Sequence, residues 1–246
     1  MVEVMEKLRK LFQKGYLIAL EGIDGSGKTT LARSLYETFT KQSIPAVLTK
    51  EPGATDFGKE IRAMIQNPKH VVPPLAEFFL FAADRAAHIV QVVKPALAAG
   101  KVIICDRMAD SSIAYQAYGR GIREADVKTV NSIALQGVLP NITFYLEIDY
   151  DTAHDRIMQR NEALSQFDQQ KEDFFKRVQQ GYEAVYAERS DVMRAEAVHK
   201  LVREMQAGTQ KPYAHKEVVF YLDAKKSPEA LLEDLLCILQ WVGGAL

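Results

Sequence analysis

A glycine-rich segment near the start of the chain constrains the fold more than any other feature. It follows an apolar run at residues 17–20 and reads Gly22-Ile23-Asp24-Gly25-Ser26-Gly27-Lys28-Thr29. Glycine adopts backbone angles that other residues avoid, so successive amides in such a loop can converge on one phosphate chain. A helix beginning at Lys28 would add its unpaired N–H groups and the positive end of its dipole. The segment therefore predicts a strand, a phosphate-binding loop and a helix in that order.

The side chains of this loop point to a nucleotide triphosphate and a metal ion as ligands. Lys28 is placed to reach the β- and γ-phosphates, and the Thr29 hydroxyl to help hold Mg²⁺. We therefore expect ATP and Mg²⁺ as cofactors. The expected nucleotide-binding residues are Gly22, Ile23, Asp24, Gly25, Ser26, Gly27, Lys28, Thr29 and Thr30. The alternative, a glycine-rich turn that holds no ligand, fits the flanking strand and helix less well.

Apolar runs alternate with longer stretches of helical spacing along the chain. Strands are predicted at residues 17–20, 46–49, 102–105, 142–148 and 218–222. Helices are predicted at residues 28–40, 57–65, 75–99, 124–137, 152–160, 173–190 and 228–243. Because the run at residues 102–105 is apolar throughout, it fits a strand covered on both faces. We predict an α/β fold: a doubly wound, five-stranded parallel sheet with helices on both faces, of the P-loop NTPase type.

The length of 246 residues is compatible with a single domain, which we place at residues 16–246. An N-terminal extension at residues 1–15 has apolar residues at helical spacing and is predicted to be a short amphipathic helix. Two further stretches, residues 161–172 and 191–216, are polar or irregular in pattern. Both are predicted to be surface excursions from the domain.

Composition excludes several classes of partner. The net charge is -1, so no global field draws the chain to nucleic acid or an anionic membrane. The 2 cysteines are too few for a disulfide framework or a zinc site. The apolar runs are shorter than the roughly 18 residues that span a bilayer, and the start does not read as a signal peptide. We expect a cytoplasmic protein that binds small-molecule nucleotides.

The dipeptide Asp106-Arg107 directly follows the predicted strand at residues 102–105. Ligands of open α/β sheets bind at the carboxyl edge, where these side chains are expected to lie. Asp106 is therefore a candidate ligand for Mg²⁺ or its water shell, and Arg107 a candidate clamp for phosphate. A surface ion pair is the alternative for such a dipeptide taken alone.

Four further segments accompany the loop in order. They read Thr49-Lys50-Glu51-Pro52-Gly53-Ala54-Thr55, Phe81-Ala82-Ala83-Asp84-Arg85, Asp106-Arg107, and Ser111-Ser112-Ile113-Ala114-Tyr115-Gln116 with Gly119-Arg120-Gly121. With the loop, they resemble the thymidylate kinase (dTMP kinase) family over about residues 17–235. Lys50 and Ala54 depart mildly from the family's Arg-Glu-Pro-Gly-Gly-Thr element. The resemblance implies a homodimer that transfers the γ-phosphoryl group of ATP to dTMP, giving dTDP for dTTP synthesis.

The resemblance also implies an acceptor site. Phe81 and Arg85 are four apart on the predicted helix at residues 75–99 and so share one face. By analogy with the family, Phe81 stacks on thymine and Arg85 bonds its O4, while Tyr115 lies against the sugar. Arg107 grips the acceptor phosphate, with Arg62 as a second grip. The full implied substrate-binding set is Asp24, Arg62, Phe81, Arg85, Arg107, Ser111, Ser112, Tyr115 and Gln116.

Two features depart from the family pattern. The lid, placed at residues 161–172, has Ser165-Gln166 where the family commonly has Asp-Arg, and the loop at residues 22–29 contains no arginine. Another base must therefore offset charge on the transferring phosphoryl group, with Arg156 and Arg160 as candidates and Lys171 as a poorer third. The expected catalytic residues are Lys28, Arg107, Asp24, Arg160 and Arg156. Residues 191–216 form a link longer than is usual in the family.

Two other functions remain open at this point. One is a kinase for another nucleoside monophosphate or a deoxynucleoside, which would share the loop and Asp106-Arg107 but not the base pocket. The other is a nucleotide-binding regulator without turnover, favoured only by the missing lid arginine.

Overall fold

The computed structural model describes residues 12, 14–67, 71–160, 165, 167–189, 191–206 and 218–244. Within these ranges the strands are β1 Tyr16–Glu21, β2 Ala46–Lys50, β3 Val102–Asp106, β4 Ile142–Glu147, β5 Val192–Arg194 and β6 Val218–Asp223. They form one parallel sheet in the order β2-β3-β1-β4-β6-β5. The sheet therefore grows in both directions from β1, the strand that leads into the glycine-rich loop.

Helices connect the strands as crossovers. They are α1 Lys28–Lys41, α2 Asp56–Gln66, α3 Pro74–His88, α4 Lys94–Ala98, α5 Ala109–Ser112, α6 Glu124–Leu135, α7 Tyr150–Met158, α8 Glu172–Ala187, α9 Ala195–Gln206 and α10 Pro228–Gly244. Two π-helical turns interrupt this series. Ile89–Val93 joins α3 to α4, and Ile113–Gly119 continues α5. In the part of the chain that the structure describes, no helix combines the length and apolar character needed to cross a membrane.

The central strands are buried on both faces, as their continuous apolar character predicts. Successive residues of a strand point to opposite faces of the sheet. Accordingly, Ile18 and Leu20 of β1 pack into one core cluster, whereas Leu17 and Ala19 pack into a second. Helices therefore cover both faces, and the predicted α/β class with a doubly wound parallel sheet is confirmed.

The predicted strand count was wrong by one. All five predicted strands are present, but β5 adds a sixth and pairs with β6 at the edge of the sheet. It lies, with α9, in residues 191–216, which were predicted to be an irregular excursion. A strand of 3 residues is too short to show a period-two pattern, which explains the miss. Residues 207–217 lie outside the described residues.

Two other predicted segments fall largely outside the described residues. Of the N-terminal extension at residues 1–15, the structure describes only residues 12, 14 and 15, so most of the predicted amphipathic helix lies outside the described residues. Phe12 is buried and packs on Tyr16 and Phe39, with ring centroids 5.1 and 5.4 Å away. Of the predicted lid at residues 161–172, positions 161–164 and 166 are not described.

Strand register brings the predicted functional segments to one edge of the sheet. Leu20 of β1 and Lys50 of β2 both lie opposite Asp106 of β3. The three strands therefore end side by side at their carboxyl ends. The glycine-rich loop follows β1, the segment at residues 51–55 follows β2, and Arg107 follows β3.

Candidate active site

A cavity of about 390 Å³ opens above this carboxyl edge. Most of the sequence-predicted site residues line it, namely Asp24, Gly25, Gly27, Lys28, Thr29, Thr30, Arg62, Phe81, Arg85, Asp106, Arg107, Ser111, Ser112, Tyr115, Gln116 and Arg160. Gly22, Ile23 and Ser26 belong to the loop but do not line the cavity, and neither does Arg156. The structure thus brings together segments that are widely separated in sequence.

The backbone conformation of the loop requires glycine, as Gly25 and Gly27 illustrate. Gly25 and Gly27 have φ values of 84° and 93°, in the left-handed region that side chains disfavour. A Cβ on Gly25 would also lie 2.3 Å from the carbonyl oxygen of Ala153. Gly27 directly precedes α1, so the loop runs into the helix N-terminus. Free amides and the helix dipole therefore face the cavity together, which suits a phosphate chain.

Lys28 is buried beneath the loop. Its Nζ donates hydrogen bonds to the Ile23 carbonyl at 2.7 Å and to Ser26 Oγ at 3.2 Å. Burial and the nearby Arg107 lower the pKa of Lys28 to about 8, although Asp106 and other carboxylates oppose the shift. The ammonium form is therefore only moderately favoured at neutral pH until an anion enters the cavity.

The two predicted metal ligands contact each other. The Thr29 hydroxyl donates to Asp106 Oδ2 at 2.5 Å. Hydroxyl and carboxylate oxygens are the donors that Mg²⁺ prefers, so the pair fits that ion. Among the described residues, no cluster of three or more His, Cys, Asp or Glu forms an all-protein metal cage. Mg²⁺ would therefore take its other ligands from substrate phosphates and water.

Arg107 lies between the loop and the rest of the cavity. Its Nη1 donates to the Gly22 carbonyl at 2.8 Å, and its Nη2 to Asp24 Oδ1 at 2.8 Å and to the Tyr115 hydroxyl at 3.1 Å. Tyr115 in turn donates to Asp24 Oδ2 at 2.9 Å. Burial opposes ionisation of Asp24, but Arg107 and Lys28 outweigh it and lower its pKa to about 2. Asp24 is therefore a carboxylate that orients the guanidinium at any ordinary pH.

Arg85 forms a rigid part of the cavity wall and is only 2% exposed. It donates to Glu51 Oε2 at 2.8 Å, Ser112 Oγ at 3.1 Å, Asn131 Oδ1 at 2.5 Å and the Met108 carbonyl at 3.0 Å. Burial opposes ionisation of Glu51, yet Arg85 and His88 lower its pKa below the usual value. A guanidinium has five N–H donors, so these contacts leave one for a ligand. Ser112, a predicted substrate-binding residue, accepts one of these hydrogen bonds and also lines the cavity.

Three aromatic rings, those of Phe81, Tyr115 and Phe167, also line the cavity. Phe81 is half-buried, and the Phe167 ring lies 6.1 Å from it and 6.0 Å from the Tyr115 ring. The Arg120 guanidinium covers another side of Phe167 at 5.4 Å and is anchored by Glu77 at 2.9 Å. These rings give the cavity an aromatic lining, on which a nucleobase can stack.

The remaining predicted acceptor residues are held by neighbours. Arg62 donates to the Pro52 carbonyl at 3.1 Å, and Gln116 Nε2 donates to Glu77 Oε1 at 3.1 Å. Ser111 Oγ accepts from Arg107 Nη1 at 3.1 Å. Each side chain therefore reaches the cavity from a fixed position.

The two arginine candidates near the lid, Arg156 and Arg160, lie in different places. The helix predicted at residues 152–160 contains both, but α7 ends at Met158, so Arg160 lies beyond the helix. Arg160 lines the cavity, whereas Arg156 Nη1 donates to the Ala224 carbonyl at 2.8 Å, outside it. Lys171 is not among the residues that line the cavity either. Of these three candidates, the structure brings only Arg160 to the cavity.

Sequence reasoning missed Phe167 and Glu21. Phe167 is only 8% exposed and lines the cavity from within the predicted lid, where it is the one aromatic residue in a polar stretch. An isolated aromatic residue in a polar stretch could have indicated a site residue. Glu21 is fully buried behind Arg107 and has no distinguishing pattern in the sequence beyond its position before the loop.

Comparison with known proteins agrees with this geometry. A family model described as thymidylate kinase matches residues 20–209. A thymidylate kinase of Halothermothrix orenii is 41% identical over 182 residues, covering 73% of this chain and 88% of the relative. A thymidylate kinase of Pelotomaculum thermopropionicum is 37% identical over 224 residues, covering 91% of this chain and 97% of the relative. The one from Bacillus licheniformis is 41% identical over 70% of this chain and 82% of the relative. The chain belongs to the thymidylate kinase family.

Proposed function

We propose that the protein transfers the γ-phosphoryl group of ATP to dTMP, giving ADP and dTDP, with Mg²⁺ bound to the phosphates. The observation that supports the proposal is one cavity lined both by the glycine-rich loop and by the aromatic residues Phe81, Tyr115 and Phe167. A phosphate-binding loop forms one end and an aromatic pocket the other, with Arg107 between them. Two nucleotides bound at these ends would meet through their phosphates at Arg107.

The donor end supplies positive potential from fixed groups. The amides of the loop and of α1 receive the ATP phosphates, and Lys28 leaves the Ile23 carbonyl for the β- and γ-phosphates. Thr29 and Asp106 would hold Mg²⁺ or its water shell. The metal, when bound, neutralises charge that develops on the phosphates.

The acceptor end recognises a thymine deoxynucleotide. Phe81 stacks on the base, and the remaining Arg85 N–H donates to thymine O4, which cytosine lacks. Tyr115 lies beside the sugar and disfavours a 2′-hydroxyl, while Asp24 accepts from the 3′-hydroxyl. Arg107 and Arg62 bind the acceptor phosphate through charge-assisted hydrogen bonds.

Transfer requires alignment and charge neutralisation. An ionised oxygen of the dTMP phosphate forms a bond to the γ-phosphorus as the bond to the β-bridging oxygen breaks, and ADP leaves with that electron pair. No general base is needed, because the attacking oxygen carries no proton. Arg160 offsets charge on the moving phosphoryl group, and Phe167 helps to exclude water, the competing acceptor.

The family resemblance and the surface support a homodimer. Exposed apolar side chains lie on three helices that pack side by side: Phe57 on α2, Leu75 on α3 and Ile133 on α6. Sedimentation velocity should give twice the chain mass, and a Phe57→Asp variant should shift the distribution toward monomer.

A coupled assay that detects ADP tests the function. Wild-type protein, ATP and Mg²⁺ are mixed separately with dTMP, dUMP, dCMP, dGMP and thymidine. We expect dTMP to give the highest kcat/KM. Preference for another monophosphate or turnover with thymidine alone would favour the other kinase, and tight ATP binding without turnover on any acceptor would favour a regulator.

A further inference from the structure

A buried carboxylate lies directly behind Arg107. Glu21 ends β1, is 0% exposed and does not line the main cavity. Its Oε1 accepts from the Met108 amide at 2.8 Å, and its Oε2 accepts from Ser111 Oγ at 2.5 Å and from the Tyr182 hydroxyl at 3.0 Å. The carboxylate is therefore held by donors from three separate positions in the chain.

The same two hydroxyls contact the Arg107 guanidinium. Nη1 of Arg107 lies 3.1 Å from Ser111 Oγ and 3.2 Å from the Tyr182 hydroxyl. Nη1 carries two hydrogens and the Gly22 carbonyl accepts one of them, so the two hydroxyls share the other and direct their own hydrogens to Glu21. Ser111 and Tyr182, whose oxygens lie 2.9 Å apart, therefore form a paired bridge from the buried carboxylate to the guanidinium.

Glu21 also fixes the backbone on which Arg107 is mounted. Arg107 has φ of 74°, a left-handed conformation that is strained for a residue with a side chain. The Arg107 amide donates to the Leu20 carbonyl at 3.0 Å, and the next amide, that of Met108, donates to Glu21. The end of β1 thus holds the strained residue on both sides, through backbone and through the carboxylate.

The local environment disfavours the ionised form of Glu21. Burial and the nearby Asp110 raise the pKa of Glu21 to about 7, although Ser111 and Arg107 oppose the shift. Asp110 itself is paired with Arg189, at 2.8 and 3.0 Å. A simple packing role would be filled better by an apolar residue, because burying a carboxylate costs free energy unless its partners compensate.

We propose that Glu21 is a positioning residue, which sets the direction of the Arg107 guanidinium toward the acceptor phosphate through Ser111 and Tyr182. This inference rests on the proposed function, because it assigns the acceptor phosphate to Arg107. Asp24 holds Nη2 from the cavity side, and Glu21 holds Nη1 from the protein side. The guanidinium is then fixed at both ends of its plane.

A double-mutant cycle tests the inference. Glu21→Gln keeps the shape of the side chain and removes the charge, and Arg107→Met removes the guanidinium. We expect Glu21→Gln to raise KM for dTMP roughly tenfold, about the effect of weakening one charge-assisted hydrogen bond, and to change KM for ATP less than twofold. In the Arg107→Met background, Glu21→Gln should change kcat/KM for dTMP less than twofold.

Two further variants complete the cycle. Tyr182→Phe removes one hydroxyl of the paired bridge and should show a smaller rise in KM for dTMP with the same dependence on Arg107, so the test stands even if Glu21→Gln folds poorly. Asp234→Asn is the matched control, because Asp234 is also a buried carboxylate but pairs with Lys226 at 2.8 Å. It should lower thermal stability and leave KM for dTMP unchanged.

The possible outcomes distinguish the positioning role of Glu21 from the proposed function. If wild-type protein phosphorylates dTMP but the effects of Glu21→Gln and Arg107→Met multiply independently, the positioning role is wrong and the function stands. If wild-type protein neither binds nor phosphorylates dTMP, the proposed function and the role of Glu21 fall together.

Discussion

Backbone groups build the donor end of the cavity, whereas side chains build the acceptor end. The donor end comes from one continuous segment, in which Gly25 and Gly27 take left-handed conformations and α1 begins at Lys28. The acceptor end takes side chains from α2, α3, the turn after β3, the π-helical turn Ile113–Gly119 and the lid. The first is set by local sequence, and the second only by the assembled fold.

This difference has a physical consequence for each end. A backbone loop binds any phosphate chain, because amides carry no base-specific information. In the proposed function, the acceptor end would achieve selectivity by fixing side chains before the ligand arrives, and Arg85 is held in this way by four protein hydrogen bonds. Substitutions at the donor end should therefore affect all acceptors equally, and those at the acceptor end should affect dTMP specifically.

The largest expected effect concerns Arg160, the arginine beside the lid that lines the cavity. Arg160→Ala should lower kcat on the order of 10³-fold, since a positioned arginine stabilises charge on the transferring phosphoryl group. Arg156→Ala should lower kcat less than tenfold, because Arg156 bonds the Ala224 carbonyl outside the cavity. Steady-state kinetics with saturating ATP and dTMP distinguish the two. Equal losses from both substitutions would contradict this assignment.

The next largest expected effect tests the acceptor end alone. Phe81→Ala should lower kcat/KM for dTMP about ten- to a hundredfold, the usual loss when a stacking ring is removed, with KM for ATP nearly unchanged. Phe79→Ala is the matched control, since Phe79 lies on the same helix but is half-exposed away from the cavity. A parallel rise in KM for ATP in the Phe81 variant would contradict the assignment of Phe81 to the acceptor end alone.

The pH dependence of ATP binding tests the donor end alone. With a pKa of about 8, Lys28 is mostly neutral at pH 9 and must take up a proton to bind phosphate as an ammonium. The affinity for ATP should therefore fall above pH 8, toward tenfold per pH unit. Calorimetry in buffers of different ionisation enthalpy should show uptake of nearly one proton at pH 9. Lys28→Met should bind weakly with no slope, and a flat wild-type profile would contradict the lowered pKa.

The smallest expected effect concerns Phe167, an aromatic residue that the sequence did not indicate as part of the site. Phe167→Ala should raise KM for dTMP about two- to tenfold, because the edge contacts to Phe81 and Tyr115 are each worth on the order of 1 kcal/mol. It should also raise ATP hydrolysis without acceptor, if Phe167 excludes water. An unchanged KM together with unchanged hydrolysis would remove Phe167 from the site.

The sequence predicts the donor end well and the acceptor end in part. The loop and its flanking elements are local, so spacing alone predicts them. Phe81 and Arg85 could be placed on one helix face by their spacing of four, but their partners Glu51 and Asn131 are brought near only by folding. The roles of Phe81 and Arg85 were predicted from the family resemblance, because spacing alone does not indicate them.

Three misses have identifiable physical causes. The strand β5 is too short for a periodic signal, and its pairing with β6 is a long-range contact. Arg156 and Arg160 looked equivalent because the helix was extended past Met158, where α7 ends. Glu21 reads as an ordinary acid beside the loop, since only the fold places Ser111 and Tyr182 between it and Arg107.

The central claim is that a phosphoryl group passes directly between nucleotides bound at the two ends of one cavity. Incubation with ATP labelled at the γ-phosphate and with unlabelled dTMP, followed by chromatography, tests it most directly. We predict that the label appears in the β-phosphate of dTDP, at a rate that depends on dTMP and is lost in Arg107→Met. Label that appears only as inorganic phosphate, or transfer that persists undiminished in Arg107→Met, would contradict the claim.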